Sequence, residues 1–139
     1  MSGFGETYPF MVFPREIPLN DYIQAIPELS LFIHSAKCVP CPVSCRHFIY
    51  DLSSDVLSFY KEERVGEATN QISMLAARTK KSKLEAFGEL TETTISLYER
   101  IIEILEGSPE AREVFKHFTA GYIRFHTSTA RYRLEDLSL

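Results

Sequence analysis

The stretch Glu106-Gly107-Ser108-Pro109 constrains the fold of this chain more than any other. A glycine suits a left-handed helix stop, a serine can cap the next start, and proline fits the first helical position. Upstream, Ser82-Lys83-Leu84-Glu85 has the form of a capping box, in which hydroxyl and carboxylate satisfy orphan amides at a helix start. Between these marks Leu84, Phe87, Ile95, Tyr98, Ile101, Ile102 and Leu105 recur at helical spacing. Beyond them Ala111, Val114, Phe115, Phe118, Tyr122, Phe125, Thr129 and Tyr132 do the same. The pattern predicts a helix over 82–106, a tight turn, and a helix reaching about residue 135. A further stripe, Leu57, Tyr60, Ala68, Ile72, Leu75 and Ala76, predicts one long helix over 54–79.

The front of the chain reads differently. Six of the seven prolines lie at or before Pro42. Pro9, Pro14 and Pro18 make residues 1–19 an extended arm that lays Phe10, Val12 and Phe13 on an apolar surface, its own bundle before a neighbour's. Asn20 or Asp21 can cap a short helix that Pro27 bends or restarts. The expected fold is therefore all-α and one domain of 139 residues: an arm over 1–19, a short broken helix and cysteine stretch over 20–50, and an elongated antiparallel bundle of three long helices over 54–136. The broken front segment leaves core to be covered, which predicts a homo-oligomer or a protein partner.

Charge adds a possible register. Glu85, Glu92, Glu99 and Glu106 stand seven apart, as do His117, Arg124 and Arg131. Folding the hairpin about Ser108 sets Glu99 against His117, Glu92 against Arg124 and Glu85 against Arg131. Such surface pairs are each worth about 0–1 kcal/mol, so their effect would be on register more than stability.

All three cysteines lie in Cys38-Val39-Pro40-Cys41-Pro42-Val43-Ser44-Cys45-Arg46-His47, with His34 four residues before the first. Cys38, Cys41, Cys45 and His47, with His34 able to replace His47, are the soft ligands that zinc takes. An iron–sulfur cluster is the weaker fit, because a fourth cysteine is missing. The alternative is redox: Cys38 and Cys41 form a Cys-x-x-Cys dithiol, and Arg46 nearby would lower a thiol pKa. The bland alternative is a set of small buried apolar residues.

A third class follows from Arg78, Lys80, Lys81 and Lys83 at one helix end, joined by Arg131 and Arg133 near the C-terminus. This basic end could meet phosphate on a nucleic acid, although the net charge of −4 gives no overall bias toward one. No run is long and apolar enough to span a membrane, and no basic-then-apolar start marks a secretory signal, so the expected location is cytoplasmic. Gly-rich phosphate loops, His-Glu-x-x-His and Gly-x-Ser-x-Gly are absent. Glu113 and His117 are a single pair, and His126 reads as a surface or boundary histidine. The functional expectation is thus a non-catalytic helical interaction or regulatory protein with a Cys/His metal site joining arm to bundle.

Overall fold

The computed structural model describes residues 8–35, 55–66 and 70–137. Among them the protein is all-α, with no strand. Five α-helices appear in order: α1 (Ile26–Ser35), α2 (Asp55–Val65), α3 (Gln71–Thr79), α4 (Lys83–Ile104) and α5 (Pro109–Ser128). Short 3-10 turns connect or flank them.

Helix α4 is the spine, and its caps explain its ends. The Ser82 hydroxyl accepts from the Glu85 amide at 3.2 Å, and the Glu85 carboxylate accepts from the Ser82 amide at 2.8 Å. The capping box of the sequence is formed as expected. The N-terminal half of α4 takes α3, burying Ala86 and Leu90 against Ile72 and Ala76, with Phe59 of α2 stacked on Phe87 at 5.3 Å. Its C-terminal half takes α1 and α5. There Leu29, Phe32, Ile101, Leu105, Ala111 and Phe115 form the larger core, and Phe115 meets Phe32 and Tyr98 at ring distances of 5.8 and 5.4 Å.

The turn after α4 departs from expectation. Leu105–Gly107 forms a 3-10 turn, and Gly107 is not left-handed; among the described residues Gly66 is the glycine with positive φ. The Ser108 hydroxyl does not cap α5. It donates to the Asp21 carboxylate at 3.2 Å, a contact 87 positions apart that no local pattern announces. Pro109 does open the helix.

The single helix predicted over 54–79 is two. Gly66, at φ 72°, follows the end of α2, and the Asn70 side chain caps α3 by accepting from the Ser73 amide at 2.8 Å. The helix predicted to reach about residue 135 stops at Ser128. The hydroxyls of Thr127, Ser128 and Thr129 donate back to the carbonyls of Ile123, Arg124 and Phe125 in this last turn, and Thr129 leaves the helix in an extended conformation. Two 3-10 turns, Ala130–Tyr132 and Leu134–Leu137, then follow.

The N-terminal arm is coiled rather than extended. Tyr8–Val12 is a 3-10 turn, Phe13 stacks on Tyr22 at 4.2 Å, and Phe13 and Ile17 are buried in the larger core. Pro27 sits in the first turn of α1, where its missing amide hydrogen costs nothing. No helix of the described residues is long and apolar enough to cross a membrane.

Candidate active site

Because α5 ends early, Tyr132 is buried against it, and the turn that carries Tyr132 packs on α2. Lys61 of α2 reaches this junction, and Glu62 lies beside it. Lys61 Nζ lies 5.8 Å from the centre of the Tyr132 ring and 4.0 Å from Glu62 Oε1. Glu62 is only 6% exposed, which is unusual for a carboxylate because desolvating the charge is costly without compensation.

Further cations lie on α2 and on the C-terminal turns. Arg64 stacks near Tyr60, donates to its hydroxyl at 3.3 Å, and lies 3.7 Å from Asp136. The Tyr60 hydroxyl is the main cause that raises the Arg64 pKa, with Asp136 adding to it, so that charge is fixed. Arg133 pairs with Asp136 at 2.9 Å, and Arg131 is exposed on the same turn as Tyr132.

An aromatic column runs from this cluster along α5. Tyr132 lies 4.5 Å from His126, and His126 lies 4.5 Å from Tyr122. The histidine read from sequence as a boundary residue is fully buried. Its Nδ1–H donates to the Tyr122 carbonyl at 2.8 Å, which fixes the ring in the column. Tyr122 also lines an apolar groove of about 410 Å³ with Tyr8, His117, Phe118, Gly121 and Phe125. Charge therefore stands at one end of the column and an aromatic-walled groove at the other.

The residues singled out from sequence fall elsewhere. Cys38, Cys41, Cys45 and His47 lie outside the described residues, as does the side chain of His34. Among the described residues no three His, Cys, Asp or Glu side chains are grouped to hold a metal. Of the basic patch, Lys81 pairs with Glu89 and Lys83 with Glu63, while Arg78 and Lys80 are exposed at the left-handed end of α3. Glu85 serves its cap, and His117 Nδ1–H donates to the Glu113 carbonyl at 2.8 Å. Glu92, Glu99 and Arg124 are exposed.

Sequence reasoning missed Lys61, Glu62 and Tyr132 as a group. One signal was available: Glu62 stands three positions after Phe59, which packs against the second core, so the acid shares a buried helix face.

Among the described residues the chain is all-α, with Glu62 buried beside Lys61 and an aromatic-walled groove on α5. The particular family is given by comparison. The family pattern described as trichodiene synthase matches residues 38–138, and the chain belongs to that family. It is 34% identical over 137 residues to alpha-cuprenene synthase COP6 of Coprinopsis cinerea, covering 99% of this chain and 37% of that protein. Monoterpene synthase 25 of Postia placenta is 40% identical over 116 residues, covering 84% of this chain and 30% of the relative. Longiborneol synthase CLM1 of Gibberella zeae is 31% identical over 140 residues, with 99% and 36% covered. The chain thus spans roughly a third of the length of these curated relatives. No solved structure matches it.

This membership overturns the reading of a non-catalytic interaction protein built around a zinc joint, and the thiol-redox and nucleic-acid alternatives fall with it. The matched region includes the whole cysteine stretch, so those residues sit inside a catalytic family's pattern. Terpene synthases typically work with divalent magnesium, which keeps a metal plausible while zinc has no support.

Proposed function

We propose that this chain is the diphosphate-gripping part of a terpene synthase, which ionises a prenyl diphosphate and shelters the resulting carbocation. The observation that carries this reading is Glu62, buried beside Lys61, which itself lies over Tyr132 at one end of an aromatic column whose other end lines an apolar groove.

The donor set fits magnesium better than zinc. Magnesium is a hard ion that keeps several waters and is held through one or two carboxylates plus substrate phosphates, rather than by a full protein cage. One buried carboxylate, Glu62, supplies that anchor, and no soft-ligand cluster is needed. When bound, the ion would neutralise negative charge on the departing diphosphate. Lys61 over Tyr132 and Arg131 on the adjoining turn would take the remaining phosphate charge. Phe118, Tyr122 and Phe125 offer ring faces that would attract a carbocation by cation–π contact. The heptad series on α4 and α5 would act, if paired, on register; reversal at Glu92 rescued by reversal at Arg124 tests that separately.

A thermal shift measures the binding reading. Inorganic diphosphate with magnesium at about a hundred times its dissociation constant should stabilise the protein by about 2.7 kcal/mol. Lys61→Met should remove most of the shift. An unshifted melting temperature at saturating ligand would sink the proposal.

A further inference from the structure

The chain turns sharply at Arg133, whose φ is 56°. Such a conformation strains a residue with a side chain, because the Cβ crowds the following carbonyl. Lys80, the other non-glycine residue with positive φ among those described, ends α3, where a left-handed stop is common. Arg133 closes only the three-residue turn Ala130–Tyr132, so no α-helix end accounts for it.

An ion-pair bridge does. Arg133 Nη2 lies 2.9 Å from Asp136 Oδ2, and the Asp136 amide donates to the Arg133 carbonyl at 3.1 Å. The same Asp136 Oδ2 lies 3.7 Å from Arg64 Nη1 of α2. Arg64 also donates to the hydroxyl of Tyr60, one helical turn back on α2. Asp136 therefore links α2 to the strained turn, and it is the least exposed of the three charges, at 29% of its side chain against 46% and 48%. The turn closed in this way carries Arg131 and the buried Tyr132, whose ring lies under Lys61 of the same α2.

We infer that Asp136 is a positioning residue: by bridging Arg64 and Arg133 it clasps the turn bearing Arg131 and Tyr132 to α2, keeping Arg131 and Lys61 together for a diphosphate. The inference rests on the function proposed above. Exposed ion pairs add little to global stability, so the clasp acts on the local order of the turn. A ligand binds less tightly in proportion to the fraction of molecules whose binding groups are out of place.

Asp136→Asn separates this role from plain electrostatics by sign. If charge alone mattered, removing a negative group near an anion site would tighten diphosphate binding. The clasp predicts the opposite. In calorimetry with magnesium, inorganic diphosphate should bind Asp136→Asn about threefold or more weakly than wild type. Its melting temperature should stay within about 2 °C of wild type. Hydrogen exchange without ligand or magnesium reads the turn itself. The amides of Tyr132, Arg133 and Asp136 donate to the carbonyls of Thr129, Ala130 and Arg133, and in Asp136→Asn they should exchange about threefold faster or more. Arg64→Gln breaks the bridge from the α2 side and should speed the same amides. Equal or tighter diphosphate binding in Asp136→Asn overturns the inference while the site stands. So does weaker binding with unchanged exchange, which would make Asp136 a direct ligand of the metal instead of a clasp. Wild type that binds no diphosphate overturns the site and this role together.

Discussion

Phe115 offers the sharpest test of how the site is held. It is fully buried at the centre of the larger core, with Phe32 of α1 edge-on at 5.8 Å and Tyr98 of α4 tilted at 5.4 Å. Truncation to alanine loses the transfer energy of the ring and leaves a cavity, together about 3–5 kcal/mol. The two aromatic contacts add about 0.5–1.5 kcal/mol each where their geometry is good, which places Phe115→Ala near the top of that range. For a protein with the usual stability of about 5–15 kcal/mol this is a large share. Urea unfolding followed by circular dichroism reads it as a lower midpoint at unchanged slope. If the alanine variant does not fold, Phe115→Leu provides the measurable step, at about 1–2 kcal/mol. A double substitution with Phe32→Ala should cost less than the sum of the two singles by about 1 kcal/mol, because they share a contact. A loss below about 1.5 kcal/mol in Phe115→Ala would refute this account of the core. So would strict additivity with Phe32→Ala.

Two smaller perturbations test the local punctuation. Asn70→Ala should cost about 1 kcal/mol by removing the side-chain acceptor of the Ser73 amide, and Asn70→Asp should retain most of that stability; equal losses in both would discount the cap. The Glu85 carboxyl is held below its ordinary 4.5, chiefly because the Ser82 hydroxyl donates to it and then because the Ser82 amide does. A depressed carboxyl contributes stability that is present above the unfolded value and lost as pH falls through the folded one. The acid limb of the stability curve, below about pH 4.5, should therefore flatten in Ser82→Ala; a limb as steep as wild type would contradict the assignment.

Elements with their own local chemistry were legible in the sequence. The box at Ser82 and Glu85 and the proline at position 109 are satisfied within one helical turn, so their residue types suffice to announce them. The break between α2 and α3 was written in Gly66 and Asn70 but masked by an apolar stripe that kept helical spacing across it. The early end of α5 carries no glycine or proline to announce it, and the stripe running through Thr129 and Tyr132 points past it. The Asp21–Ser108 bond could not be read at all, since it exists only after α1 has docked on α4.

The site was harder still. Cysteines draw attention because their chemistry is rare, whereas Lys61, Glu62 and Tyr132 are common residues made unusual by burial and juxtaposition. Glu62 in particular looks like one of many solvated acids until α2 packs against its neighbours. Family comparison then supplied what local pattern could not, the family to which the chain belongs.

The most direct test of the central claim concerns Glu62 and magnesium together. Calorimetry should show inorganic diphosphate binding tightly only when magnesium is present, and Glu62→Gln should weaken that magnesium-dependent binding by about tenfold or more while leaving the protein folded. Diphosphate that binds equally well without magnesium, or with equal affinity to wild type and Glu62→Gln, would contradict the account.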